Sequence, residues 1–210
     1  MADNYLGRKM EEYEAQKCAS VRTRRVSLIS LLAKNRSTRG FDASFKVRKD
    51  QLLSLVEAAR LAPSAMNQQA LRYRLVTEEE ASLVLPHIRL GTALPDMKLP
   101  LEGSEPNAFV VICATKEGRF VDVDLGIAAQ SILLRAVEMG LNGVCIAAFD
   151  SDRVQKALQL TLVPQLIIAI GRSAERIEIV DVGDGESTTY YRKNGVHFVP
   201  KLQIDDLILK

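Results

Sequence analysis

The chain has 210 residues, 47% of them hydrophobic and 26% charged, with a formal net charge of +2. This length and composition predict one globular domain with a full core, and they exclude the disordered and fibrous classes. The nearly neutral charge gives no reason to expect a nucleic-acid partner, and no apolar run approaches the roughly 20 residues that span a bilayer, so no membrane partner is expected.

The first half of the chain predicts helices before any buried strand. Residues 1–20 have the pattern of a polar helix with a narrow apolar stripe, so the segment 1–25 is expected to be a helical extension that packs on a partner subunit. Two more helices and an edge strand are predicted at residues 26–34, 50–61 and 71–76. Pro63 stops the second of these helices, and Thr77 with Glu80 predicts a capping box that opens the next one.

The second half contains the segments that predict the core. Buried strands are expected where the chain is apolar and β-branched, at residues 108–115, 144–148 and 164–170. Residues 123–139 form a predicted helix that is apolar on nearly every face, which places it in the middle of the fold. Asp150 is expected to cap a shorter helix. The tail predicts three short elements, two strands and a helical turn, at residues 189–192, 196–199 and 204–209.

The order of these elements is that of an α+β protein. Helices come first and strands later, without the regular βαβ alternation of a doubly wound dinucleotide-binding fold. Residues 87–107, which include Pro95, Pro100 and Pro106, predict a long loop, and long loops often act as lids. No Gly-, Ser- or Pro-rich linker divides the chain, so residues 1–210 are expected to form a single domain.

Motifs for hydrolytic, kinase and metal-dependent chemistry are missing from the sequence. It lacks the Gly-rich dinucleotide turn, the phosphate loop and the nucleophile elbow. His87 and His197 have no second histidine or carboxylate at metal-ligand spacing, so no metal site is expected. Asp122 and Asp124 are interpreted as helix-start residues that favour the dipole. The chain is therefore expected to be a binding protein or an enzyme whose cofactor brings the chemistry, with no catalytic side chain of its own.

Cysteine use and the N-terminus bear on the cellular compartment. Cys18, Cys113 and Cys145 are far apart and show no zinc or redox-pair spacing. The N-terminus has no apolar region of the kind that secretory signals carry. Both features fit a reducing compartment, so a cytoplasmic protein is expected.

Three short segments carry residues suited to a flat, phosphorylated ligand. Residues 35–41 contain Arg36, Ser37 and Arg39, which suit a phosphate monoester and a second acceptor group. Residues 62–69 supply Ser, Asn and Gln groups that can meet a heterocycle edge. Residues 143–150 leave a strand through small side chains, which let backbone N–H groups approach a flat ring. Taken singly, these segments are better explained as a basic helix end, a polar turn and a packed strand end.

Together and in this order, the three segments resemble the nitroreductase family. The family pattern is basic-Ser-x-basic, a helix, Pro-Ser-x-x-Asn-x-Gln and a strand. Here it is Arg36-Ser37-Thr38-Arg39, the predicted helix, Pro63-Ser64-Ala65-Met66-Asn67-Gln68-Gln69 and the predicted edge strand. The resemblance spans about residues 25–172, and the tail from Tyr190 to Lys201 is similar to that of one branch of the family.

The resemblance implies an α+β fold with a central, mostly antiparallel sheet flanked by helices, built as an intertwined homodimer with FMN at the interface. It implies that the FMN phosphate contacts Arg36 and Ser37, and that the pyrimidine edge contacts Arg39. The residues implied to approach the FMN bound mainly by the partner subunit are Pro63, Ser64, Ala65 and Asn67. Those implied to line the flavin near N5 are Ile146, Ala147 and Ala148. Arg172 is implied as a further phosphate partner.

The activity implied by the resemblance is oxidoreduction. NADH or NADPH would reduce FMN, and a small-molecule acceptor such as a nitroaromatic or a quinone would then be reduced in a ping-pong mechanism. Three other functions fit the same sequence: a flavin-binding sensor or store without turnover, another flavin chemistry such as reductive dehalogenation or flavin destruction with oxygen, and a non-flavin interaction module.

Overall fold

The computed structural model describes residues 26–91 and 99–209. The predicted N-terminal extension over residues 1–25 and the middle of the predicted 87–107 loop lie outside the described residues. Within these two described ranges, no helix is both long enough and apolar enough to cross a bilayer.

The centre of the fold is a four-stranded sheet of β1 (Leu71–Val76), β2 (Ala108–Ala114), β3 (Asn142–Ile146) and β4 (Pro164–Gly171). The strands lie in the order β1-β2-β4-β3, and each neighbouring pair is antiparallel. β2 and β4 are inner strands and are almost wholly buried because their residues are nearly all apolar. β1 alternates basic and apolar residues and lies at one edge, as predicted, while β3 forms the other edge.

The described residues form six α-helices, which are, in chain order, α1 (Leu28–Lys34), α2 (Lys49–Leu61), α3 (Glu78–Ala81), α4 (Arg119–Glu138), α5 (Ser151–Ala157) and α6 (Ile204–Leu207). α2 and α4 pack on one face of the central sheet, against residues such as Val110 and Ile168. Phe109 and Ile167 point to the other face, where they pack with Val154 of α5. Alternation of side chains along each strand thus divides the core in two. The α+β fold with an antiparallel sheet flanked by helices is confirmed.

The C-terminal part of the chain forms a second, smaller sheet. It contains β5 (Arg176–Val182), β6 (Tyr191–Lys193) and β7 (Val196–Leu202) in the order β5-β7-β6. β6 and β7 form a hairpin whose turn residues, Asn194 and Gly195, both have positive φ angles, as such turns require. β5 runs parallel to β7. The sequence analysis missed β5, although the alternation in RIEIVDV is the strand signal that could have found it.

Two local predictions are wrong. Thr77 makes no side-chain cap bond at the start of α3. Glu80 cannot close the capping box because its carboxylate pairs with the half-buried Arg74 of β1. The long helix α4 begins four residues earlier than predicted and is not enclosed on every side, since Phe120 is 59% exposed and Val123 is 51% exposed.

Gly143 in β3 occupies a position where any side chain would collide with the sheet. An added Cβ would lie 2.5 Å from the Ala169 carbonyl oxygen and 2.9 Å from Leu133 Cδ2. The oxygen belongs to the paired strand and cannot move freely, so we expect Gly143→Ala to lower the free energy of unfolding by about 1–3 kcal/mol. Urea denaturation measures this loss.

Gly126→Ala in α4 is the matched control. A Cβ at Gly126 meets no heavy atom of the described residues within 4 Å, and alanine favours the helix by up to about 1 kcal/mol over glycine. We therefore expect this variant to be at least as stable as the parent. Equal stability of the Gly143 and Gly126 variants would contradict the packing argument.

Candidate functional site

The basic segment that follows α1 is tied to the edge of the central sheet. α1 ends at Lys34, and Asn35 caps it through its backbone N–H. Ser37 then forms a β-bridge with Gly143 of β3, and the Thr38 N–H donates to the Gly143 carbonyl at 3.3 Å. Thr38 is fully buried. The path of the chain is therefore fixed at the point where its basic side chains emerge.

Arg36, Ser37 and Arg39 line one cleft of about 410 Å³, the basic cleft. Its walls come from parts of the chain that are distant in sequence. α4, β3 and the second sheet contribute the remaining lining residues, which include Gln130, Leu133, Cys145, Tyr190, His197, Val199 and Lys201. Three predicted phosphate and flavin ligands are thus brought together, and the second sheet closes the same cleft.

Arg36 presents unused hydrogen-bonding capacity in this cleft. Its Nη2 donates to the Leu32 carbonyl at 2.7 Å. Its Nε is buried and has no hydrogen-bond partner within the part of the chain that the structure describes. Burial lowers the pKa of the guanidinium from its ordinary value, but an arginine keeps its charge at any physiological pH. The site therefore holds a cation with a free donor, which an anionic ligand would satisfy.

Arg39 is oriented by its neighbours. Its Nη1 donates to the Ser37 carbonyl at 3.2 Å, and its guanidinium carbon lies 4.7 Å from the centre of the Tyr190 ring. Cation–π contacts at this distance are attractive. Tyr190 precedes β6, so the second sheet helps to hold Arg39 at the cleft.

A buried carboxylate joins the basic segment to the second sheet. Glu175 accepts hydrogen bonds from the Arg39 backbone N–H, from the Thr38 hydroxyl at 3.0 Å and from the Arg192 guanidinium. The side chains of Arg192 and Glu175 are only 23% and 9% exposed. Since a carboxylate with three donors is well compensated for its burial, Glu175 is the main polar link between the two parts of the site.

His197 of β7 lies beside this link and is 3% exposed. Its ring centre is 5.2 Å from that of Tyr190. Burial, reinforced by the charges of Arg39 and Arg192, lowers the pKa of His197 from 6.5 to about 4. The imidazole is therefore neutral at pH 7.

The lowered pKa of His197 predicts a pH-dependent stability. The unfolded chain takes up this proton near pH 6.5, whereas the folded protein resists it until about pH 4. The contribution of His197 to the free energy of unfolding is therefore complete above about pH 6.5. It is lost as the pH falls towards 4, at about 1 kcal/mol per pH unit. Urea denaturation across this window measures it. His197→Asn should flatten the profile relative to the parent, and parallel profiles would contradict the assignment.

The segment from Pro63 to Asn67 lies at a different cavity. Ser64 precedes a 3₁₀ turn over Ala65–Asn67, and the Ala65 N–H donates to Asp124 Oδ1 at 2.9 Å. Pro63, Ser64 and Asp124 line a cavity of about 270 Å³ beside α2 and β1. Within one chain, this segment is therefore not part of the basic cleft.

The residues at the end of β3 and directly after it lie at the edge of the central sheet. Cys145 and Ala147 are exposed and two residues apart, while Ile146 between them is 2% exposed. Ala147 and Ala148 line a second cleft of about 500 Å³, together with His87 and Arg89. Cys145 thus lines the basic cleft, whereas Ala147 and Ala148 line the second cleft.

Arg172 lies outside the basic cleft. Its Nη1 is 3.6 Å from Asp42 Oδ2, and its guanidinium carbon is 4.1 Å from the centre of the Phe45 ring. It follows β4 on the face that packs against α2 and α4. Lys201 of β7, which was predicted only as part of the family-like tail, lines the cleft instead.

Three buried polar residues escaped the sequence analysis as site residues. Asp124 was interpreted as a helix-start residue, but α4 begins at Arg119, so Asp124 lies in the second turn, is 5% exposed and holds Ala65. Glu175 belongs to no motif. His197 and Lys201 are the two polar positions of β7, and a histidine in a mostly apolar strand was the available signal.

The sequence profile of the Nitroreductase family matches residues 32–172. The solved structure of a nitroreductase family protein from Streptococcus pneumoniae has a TM-score of 0.62 at 19% identity, covering 88% of this chain and 100% of that one. An FMN-dependent nitroreductase from Clostridium difficile has a TM-score of 0.55 at 26% identity, covering 71% of this chain and 89% of that one.

A protein from Exiguobacterium sibiricum, solved in complex with FMN, has a TM-score of 0.59 at 16% identity, covering 71% of this chain and 90% of that one. Among curated proteins, none matches this chain. The family profile spans the basic segment, the helices α2 and α4 and the whole central sheet. This chain therefore belongs to the nitroreductase family.

Proposed function

We propose that this chain binds FMN in the basic cleft and acts as a cytoplasmic NAD(P)H-dependent oxidoreductase. The observation that carries the proposal is the buried Nε of Arg36, which has no partner among the described residues and lies beside Ser37 and Arg39. A phosphate monoester supplies the missing acceptor and the compensating charge. Membership of a family with FMN-dependent relatives supports the same ligand.

The residues present fit the parts of FMN. Arg36 and Ser37 would hold the phosphate, and Arg39 would hold the pyrimidine edge. Ala147 and Ala148 would face the ring near N5, and Ile146, whose side chain is 2% exposed, would approach it through its backbone at the edge of β3. Arg172 would reach the phosphate only by leaving Asp42, whereas Lys201 already lines the cleft as a further cation.

A homodimer is proposed for two reasons. Pro63, Ser64, Ala65 and Asn67 lie away from the basic cleft of their own chain, which leaves them free to contact the FMN of the partner subunit. Large apolar side chains are also exposed along the neighbouring helices α1, α2 and α4, namely Leu28, Ile29, Leu53, Leu61, Phe120 and Val123. Exposed apolar surface of this kind marks an interaction site.

Bound FMN would supply the redox chemistry between NADH or NADPH and a nitroaromatic, a quinone or a similar acceptor, in a ping-pong sequence. The protein binds and orients the reactants. Arg39 places positive charge beside the pyrimidine, which stabilises negative charge there. Small residues at the end of β3 keep one ring face open to flat substrates. No side-chain acid or base is assigned.

The test is the visible absorption spectrum of the purified protein after reconstitution with FMN, recorded before and after anaerobic addition of NADH or NADPH. A bound flavin that bleaches supports the proposal and identifies the preferred nicotinamide. A bound flavin that stays oxidised refutes turnover with NAD(P)H and favours a sensor or store. A protein that fails to bind FMN refutes the proposal entirely.

A further inference from the structure

His197 contains an unsatisfied polar atom at the centre of the site. It is 3% exposed, and its Nδ1 is fully buried without a hydrogen-bond partner among the described residues. A buried polar group left in this state costs about 1–3 kcal/mol. His197 and Arg39 line both the basic cleft and a neighbouring cleft of about 250 Å³. The imidazole therefore lies between the two clefts and carries a buried hydrogen-bonding group that no described residue uses.

The charges around His197 determine which chemical group it can recognise. Arg39 and Arg192 both oppose its protonation, and Lys201 adds a further cation to the same cleft. Glu175 pairs with Arg192 and offsets part of this positive charge, while Arg39 and Lys201 have no carboxylate partner in an ion pair among the described residues. A neutral imidazole offers one donor and one acceptor. A neutral imidazole is therefore a better partner for an uncharged heterocycle edge with matching donors and acceptors than for a phosphate dianion. The phosphate is better matched by the positive charges of Arg36 and Lys201.

Tyr190 contacts both the Arg39 guanidinium and the His197 imidazole. Its ring lies under the Arg39 guanidinium, 4.7 Å from the centroid, and at 54° to the His197 ring. Tyr190 directly precedes β6, and His197 lies in β7 opposite Arg192, so the β6–β7 hairpin places both rings beside Arg39.

We propose that His197 is a flavin-binding residue, whose neutral imidazole exchanges hydrogen bonds with the uncharged pyrimidine edge of the isoalloxazine beside Arg39. This inference rests on the proposed binding of FMN. It makes the second sheet part of the flavin site, and it assigns His197 to the ring rather than to the phosphate.

The experiment compares the dissociation constants of FMN and riboflavin, measured by quenching of flavin fluorescence in the parent, His197→Leu and His197→Asn. Removing one hydrogen bond weakens binding by about tenfold. We expect His197→Leu to lose about tenfold for both ligands, because both carry the pyrimidine. His197→Asn, which keeps a donor and an acceptor near the position of Nδ1, should recover most of the loss. Circular dichroism checks that each variant folds.

Unchanged affinity for both ligands in His197→Leu would overturn the inference, while FMN binding by the parent would leave the proposed function standing. A loss confined to FMN would also overturn it, because that pattern assigns His197 to the phosphate. A parent that binds neither ligand would overturn both proposals.

A second measurement does not depend on a substitution at the site. The chain has 2 histidines, so ¹⁵N-histidine labelling gives a simple spectrum, which His87→Gln serves to assign. Titrating the parent with riboflavin should shift the imidazole nitrogen resonances of His197, because a new hydrogen bond forms there. Saturation with riboflavin without such a shift would contradict the inference.

Discussion

Arg36→Ala is expected to weaken FMN binding by about 100-fold while leaving riboflavin binding within about twofold of the parent. The guanidinium is held by the Leu32 carbonyl and keeps a buried Nε without a partner in the described chain. Charge-assisted bonds to a phosphate are worth about 1.5–3 kcal/mol, and each 1.4 kcal/mol is a factor of ten. Riboflavin lacks the phosphate, so it does not use this contact.

Fluorescence quenching with both ligands measures the two constants, and Arg48→Ala is the matched control. Arg48 is exposed, pairs with Asp50 and belongs to the start of α2 rather than to the cleft. Its replacement should leave both constants unchanged. An equal loss of FMN and riboflavin in Arg36→Ala would show that Arg36 holds the ring or the fold, and would contradict the phosphate assignment. The ratio of the two constants also separates Arg36 from His197, whose replacement should leave that ratio unchanged.

Glu175→Ala is expected to lower the free energy of unfolding by about 3 kcal/mol. The substitution leaves the Arg192 guanidinium largely buried without its carboxylate, and removing one partner of a buried ion pair typically costs about 3–5 kcal/mol. Arg192 is partly exposed, at 23%, so we expect the lower end of this range. The Arg39 N–H loses its acceptor as well, whereas the Thr38 hydroxyl can still donate to the Gly40 carbonyl at 3.0 Å.

Urea denaturation at neutral pH measures this loss, and Glu178→Ala provides the control in the same tail. Glu178 pairs with Arg176 on the surface, and exposed pairs contribute about 0–1 kcal/mol. Combining Glu175→Ala with Arg192→Leu should restore part of the stability, because it removes the unpaired charge. A Glu175→Ala variant as stable as the Glu178 control would rule out the buried link between the basic segment and the second sheet.

Much of the central sheet could be predicted from local pattern. AFVVICA and PQLIIAIG are apolar along their whole length, and such runs form inner strands because both faces must be covered. The mixed pattern of residues 71–76 correctly predicted an edge. Element boundaries were less accurate, as at α4, because the first turn of a helix can expose apolar residues such as Phe120 without any change in sequence pattern.

The candidate site likewise contains residues that could be predicted from the sequence and residues that could not. Arg36, Ser37 and Arg39 are adjacent in sequence, so their shared cleft could be expected from the segment alone. Arg172 shows where adjacency to a strand end was insufficient, because its side chain turned to Asp42 and Phe45. The direction of that side chain depends on which face of β4 the preceding residue occupies, and no local signal in the sequence fixes it.

The sequence by itself determined the family, the α+β fold and the basic segment, because these rest on short motifs and on the alternation of apolar residues. Only the tertiary structure decided that Glu175 and His197 join this segment. Glu175 lies 136 positions from Arg39 along the chain, and neither residue belongs to a motif. Their roles arise because the second sheet folds back over the edge of the first and buries charges that must find partners.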